Sequence, residues 1–191
     1  GEVTEVPVDG HGRVDPEAVR AAVRDDTSVV HVQWGNHEVG TTQPVGEVIA
    51  ALADHPALVH VDAAQAVGRV PVDVRGLGAD LLSVSGHKWG APAGTGSLLV
   101  RRGLRLDPLL VGSDQERARR AGLENVAAVV GLGAAAAALD DETLTAEADT
   151  ARRLTDRVLD GITGMDVRVH GDPVDRLPHL VCLGFDDVEP Q

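Results

Sequence analysis

An α/β fold is predicted: a mostly parallel sheet flanked by helices, followed by the start of a smaller α+β domain. Over the first 110 residues, apolar β-like runs alternate with helical patterns, as parallel strands joined by crossover helices require. Beyond Arg101 the pattern changes to a polar stretch, two helices and two short strands. The composition suits one ordinary core, with 191 residues, 43% hydrophobic and 25% charged, 22 Gly and 10 Pro. Disorder and collagen-like repeats are thereby excluded.

Val3–Val8 has the apolar content of a first strand. Asp15-Pro16 then opens a helix through Arg24, with Asp as the cap and Pro in the first turn. After a strand at Val29–Trp34, a second helix starts near Pro44. Its Val45, Val48, Ile49 and Leu52 fall at i, i+3, i+4 and i+7, one stripe facing a sheet. Leu58–Val61, Leu81–Val84 and Ser97–Val100 complete the strands. The polar stretch Ser113–Arg120 leads to a helix from Asn125 to Leu139, made of small apolar residues and therefore expected to be buried. A helix over Leu144–Leu159 gathers Ala151, Leu154 and Val158 on one face with charges opposite, and short strands follow at Asp166–Val169 and His179–Leu183. Asp140-Asp141 marks the expected boundary, with residues 1–140 in a large domain and 141–191 opening a small one.

Charge and cysteine usage narrow the function. Acidic residues outnumber basic ones 30 to 17, a net charge of -13, which argues against a nonspecific hold on nucleic acid or an anionic membrane. The single Cys allows no intrachain disulfide, so a reducing, cytoplasmic setting is expected. Apolar runs such as Gly131–Leu139 fall short of a membrane span, and no leader pattern opens the chain. Of the 17 basic residues only Lys88 is lysine. Arginine does not lose its proton near neutral pH or condense with a carbonyl, whereas lysine does both.

In an open parallel sheet, ligands bind beyond the carboxyl ends of the strands. Three such ends are rich in functional groups: Gly35-Asn36-His37-Glu38-Val39-Gly40, Asp62-Ala63-Ala64-Gln65, and Ser85-Gly86-His87-Lys88-Trp89-Gly90. Taken singly, Asp62 reads equally as a turn residue or helix cap, and Lys88 as a solvated charge. His60 and Asp62 share a strand face but lack a third ligand nearby, so no metal is expected. The glycines at 90, 94 and 96 lack the Gly-Lys-Ser/Thr ending of a triphosphate-binding loop, and Cys182 lies in an apolar strand as a core residue.

Together, His60-Val61-Asp62-Ala63-Ala64-Gln65-Ala66-Val67-Gly68 and Ser85-Gly86-His87-Lys88 closely resemble the pyridoxal-phosphate core of the class V aminotransferase superfamily, in its cysteine desulfurase branch. Asn36-His37-Glu38-Val39-Gly40 and Gln115-Glu116-Arg117…Arg120-Ala121-Gly122…Asn125 are similar to two further family segments, in the same order. The resemblance implies the large domain of a pyridoxal-phosphate-dependent transferase and pyridoxal 5'-phosphate as cofactor. Lys88 would form the Schiff base with the cofactor aldehyde and later serve as the free base. Asp62 would face the pyridine nitrogen, where at ~4 Å and an effective dielectric of ~20 a carboxylate favours the protonated ring by about 4 kcal/mol. Gln65 matches the residue that hydrogen-bonds the ring hydroxyl, and Ser85 and His87 match phosphate-binding positions.

The same resemblance implies a small amino-acid substrate, L-cysteine first, converted to alanine with the sulfur left as a persulfide on an enzyme thiolate. That thiolate would lie beyond Gln191, which leaves Cys182 outside the chemistry. A homodimer and a sulfur-acceptor protein are implied as partners. Two positions depart from the pattern. The family has two Asn before Glu38, and here the second, which approaches cofactor and substrate beside Asn36, is His37. A Thr usually follows Gly122, and here it is Leu123. The family's earlier and later segments are absent, so the chain is expected to be an internal fragment. Another class V enzyme (lyase, epimerase or aminotransferase) and a noncatalytic dimerisation or scaffold fragment are the alternatives.

Overall fold

A computed structural model describes residues 1–186. A four-stranded sheet runs in sequence order, β1 (Val29–Gln33), β2 (Leu58–Asp62), β3 (Leu81–Ser85) and β4 (Gly96–Val100). The first three strands are parallel, with Gln33 level with Asp62 and Asp62 level with Ser83. Three parallel strands and one reversed one make the mostly parallel sheet that was expected, with β4 pairing antiparallel to β3. Only residues 86–95 separate these two strands, fewer than the dozen or more that a parallel crossover needs.

The helices form where capping and pattern agree. α1 (Pro16–Ala22) is capped by Asp15, whose carboxylate accepts from the Glu17 N–H, and ends two residues before the expected Arg24. α2 (Val45–Ala51) lays Val45 and Val48, with Leu52 just beyond, against the sheet. The one-turn α3 (Val74–Leu77) lies between Asp73, its cap, and the left-handed Gly78. The core is one-sided: Val32, Val59, Val61 and Leu82 project from one sheet face onto Val19 of α1 and the apolar stripe of α2. Each fully buried Val or Leu contributes about 1.5–3 kcal/mol. By strand alternation the opposite face carries His31, Gln33, His60, Asp62, Ser83 and Ser85, so the polar groups of the strand ends share one side.

Beyond the sheet come the single turn α4 (Gln115–Ala118), α5 (Val126–Ala137) and α6 (Asp141–Gly161). β5 (Arg168–His170) and β6 (Cys182–Gly184) then pair antiparallel as a separate two-stranded sheet. α6 starts three residues before the expected Leu144 because the Asp140 carboxylate accepts from the Thr143 N–H at 2.7 Å. In α4, Glu116, Arg117 and Ala118 all have positive φ, a left-handed turn without glycine.

Two expectations fail. Val3–Val8 is not a strand: only Val8 bridges, to Val14, while Val3 stays exposed. Pro7 lacks the N–H that a ladder uses, and no strand among the described residues pairs with it. The helix read as buried, α5, contains no buried residue, and Val126, Val129 and Val130 are exposed. Small apolar residues state what a helix needs against it, not what lies there. Among the described residues, no helix is long and apolar enough to cross a membrane.

The chain's last part docks on the loop after β1. Leu177 is fully buried against Gly35, where an added Cβ would lie 3.0 Å from the Leu177 Cδ1, and its N–H donates to the Gly40 carbonyl at 2.8 Å. Thr41, also fully buried, donates through Oγ1 to the His11 carbonyl and accepts there from the Asp172 N–H.

Candidate active site

The carboxyl ends of β1, β2 and β3 lie side by side and deliver three loops to one edge of the sheet. Asp62, the last residue of β2, is half-buried between Gln33 and Ser83 of the neighbouring strands. Its Oδ1 accepts from the Ala64 N–H at 2.9 Å and lies 3.5 Å from the Ser83 hydroxyl, which fixes the carboxylate's direction. Among the described residues no cation pairs with it. Gln65 follows in the same turn, half-buried between the fully buried Ala63 and Ala66.

β3 ends at Ser85 and passes directly into a 3-10 turn, Gly86–Trp89, which carries His87 and Lys88. Gly86 is required by space, because an added Cβ would meet the Thr95 side chain and would lie 2.7 Å from the Leu132 Cδ1. The turn is closed by the Ala91 N–H donating to the Gly86 carbonyl and released by Gly90 in the left-handed region. Ser85 Oγ and His87 Nδ1 are 3.1 Å apart and form a hydroxyl–imidazole pair. Lys88 is half-buried, three residues past the end of the strand beside Asp62. The loop after β1 behaves differently. Asn36 spends its carbonyl oxygen on the Glu38 and Val39 N–H groups, while His37 is exposed and reaches only Glu38, at 3.9 Å.

The pair His60-x-Asp62 does not gather a metal-ligand set. His60 Nδ1 sits 2.9 Å from Nδ1 of His31, its register partner on β1, so one ring donates to the other. Burial first, then the neighbouring His31, hold His60 below the ordinary histidine value, against a smaller opposing effect of Asp62. Among the described residues no cluster of three or more His, Cys, Asp or Glu could hold a metal ion.

The whole sequence, residues 1–191, matches the family model described as aminotransferase class-V. The chain belongs to the class V aminotransferase family. It is 42% identical over 193 residues to a cysteine desulfurase IscS of Methanosarcina thermophila, covering 98% of this chain and 46% of that protein. It is 45% identical over 190 residues to a cysteine desulfurase of Cereibacter sphaeroides, covering 98% of this chain and 48% of that one. Among solved structures, a NifS-like protein superposes with a TM-score of 0.93 at 33% identity, over 98% of this chain and 52% of the other. This class V chain therefore spans about half the length of the curated relatives it matches.

Several residues beside these strand ends were not singled out in the sequence. Ser83 could have been, since it lies two residues before Ser85 and strand alternation gives both one face. His31 carried a similar signal, because it stands two residues before the end of β1 as His60 does before the end of β2. Arg69, whose Nη2 donates to the Lys88 carbonyl at 3.2 Å, carried none: it is one arginine among many, and the contact closes only once both loops fold.

Proposed function

We propose that residues 1–140 carry the pyridoxal 5'-phosphate-holding part of a cysteine desulfurase, with 141–191 opening a second unit. The observation that carries the reading is the placing of Asp62 and Lys88 at the ends of adjacent parallel strands, in a chain of this family. The donor set fits such a group. Ser85 Oγ and His87 offer a hydroxyl and an imidazole to a phosphate, and Asp62 offers a carboxylate already oriented by Ala64 and unpaired by any described cation. The indole Nε1 of Trp89, next to Lys88, is a buried donor with no partner among the described residues.

Bound pyridoxal 5'-phosphate supplies an aldehyde that condenses with amines and a ring that accepts the electron pair left at a substrate Cα. In this reading Lys88 Nζ would hold the cofactor covalently and, as a free amine, would take the proton from the substrate Cα. The Asp62 carboxylate would keep a proton on the pyridine nitrogen, Gln65 would donate to the ring hydroxyl, and Ser85 and His87 would bind the phosphate. Asn36 and His37 flank the substrate side. Cys182 is left out as the thiolate that accepts sulfur: it is half-buried in β6, paired with His170. The substrate is L-cysteine, the assembly a homodimer passing sulfur to an acceptor protein, and the setting the cytoplasm.

The test is to titrate the cofactor-treated chain with L-cysteine, L-serine and L-alanine while following the absorption of the bound cofactor. The reading expects L-cysteine to change the spectrum at the lowest concentration. Equal responses to all three would favour another class V chemistry, and no bound band at saturating cofactor would overturn the reading.

A further inference from the structure

We infer that Gly68 and Arg69 form a clamp that fixes the main chain of Lys88 against the loop carrying Asp62 and Gln65, with Arg69 a positioning residue for Lys88. The inference rests on the reading of Lys88 as the cofactor-bearing amine. The chain leaves β2 through a tight turn in which the Ala66 and Val67 N–H groups donate to the Ala63 carbonyl and the Val70 N–H to the Ala66 carbonyl. This turn presents Gly68 and Arg69 to the 3-10 turn after β3. Gly68 has φ +76°, and an added Cβ would lie 2.5 Å from the Trp89 Cβ, so the two loops touch at the residue beside Lys88. Arg69 Nη2 adds a hydrogen bond of 3.2 Å to the carbonyl of Lys88 itself.

The Lys88 carbonyl is the hydrogen-bond partner of this guanidinium among the described residues. Among the described residues Arg69 pairs with no carboxylate. His179 lies close enough to feel its charge; burial first and Arg69 second favour the neutral imidazole, so no second cation competes there. A 3-10 turn has poor internal hydrogen-bond geometry, so an outside donor on its carbonyl matters more than it would on an α-helix. The clamp ties the turn after β2 to the turn after β3 at Lys88 itself, and a reacting group misplaced by about 1 Å can cost about a hundredfold in rate.

The experiment uses the 191-residue chain with Arg69→Met, which keeps the bulk and removes the donors, and Arg69→Lys, which keeps a donor. Hydrogen exchange of the peptide over residues 85–91, measured without cofactor, reports the clamp alone. The absorption band of bound pyridoxal 5'-phosphate reports its effect on the site. Arg69→Met is expected to speed exchange of that peptide about tenfold, leave the β1 peptide unchanged and weaken cofactor capture severalfold, with Arg69→Lys recovering most of both. Unchanged exchange at 85–91, or faster exchange spread equally to β1, overturns the clamp. Failure of the unsubstituted chain to capture cofactor overturns the functional reading instead, and exchange alone then decides the clamp.

Discussion

Gly68→Ala carries two separate costs, and Gly90→Ala carries only one of them. Both glycines have left-handed backbones, φ +76° and +92°. An L-residue there costs about 1–2 kcal/mol, offset by about 0.4–1 kcal/mol because alanine leaves the unfolded chain fewer conformations. At Gly90 nothing lies within 4 Å of an added Cβ, so the net loss is at most about 1.6 kcal/mol. At Gly68 the new methyl would stand 2.5 Å from the Trp89 Cβ and 3.4 Å from its Cγ. Such overpacking adds about 1–3 kcal/mol, for a total of about 1–4.6 kcal/mol. Urea unfolding followed by tryptophan fluorescence suits the comparison, since Trp34 and Trp89 are the only tryptophans and one sits at the contact. At constant m the midpoints give the difference directly. Equal losses in the two variants would refute the direct packing of the β2 exit turn on the Lys88 turn.

Leu82→Ala should cost about 2–5 kcal/mol by the same assay, because Leu82 fills the one-sided core under α1 and α2; a loss below that range would mean the core collapses around the gap. His60 makes stability depend on pH. Its folded form resists protonation, so the unfolded chain takes the proton first, and stability present above about pH 6.5 is lost as pH falls through and below that value. His60→Asn should flatten the urea midpoint between about pH 7.5 and about 5.5, and an unaltered slope would count against the assignment. Asn125→Ala removes the cap of α5, where Oδ1 accepts from the Ala128 N–H at 3.2 Å, and should cost about 1 kcal/mol in an unfolding measurement.

Most of the sheet was legible because each strand announces itself by a run of Val and Leu and ends in polar residues. β1 to β4 fall within a residue or so of their expected limits. Neighbours were less legible. Val3–Val8 had the content of a strand and only a single bridge at Val8, and α5 had the content of a buried helix yet leaves Val126, Val129 and Val130 exposed. The direction of β4 was available in principle, from a ten-residue connection too short for a crossover. For the site, motif order located Asp62, Gln65, Ser85, His87 and Lys88 at two adjacent strand ends. The contacts that join those loops, Gly68 on Trp89 and Arg69 on the Lys88 carbonyl, depend on backbone approach and leave no periodic trace.

In the proposed function the one lysine of this chain, Lys88, captures the cofactor aldehyde. Borohydride reduction of the chain with pyridoxal 5'-phosphate, followed by peptide mass mapping, tests it most directly. A stable adduct confined to the peptide containing Lys88, lost in Lys88→Ala and weakened in Asp62→Ala, is the predicted result. An unmodified Lys88 at saturating cofactor, or an adduct indifferent to Asp62, would contradict it.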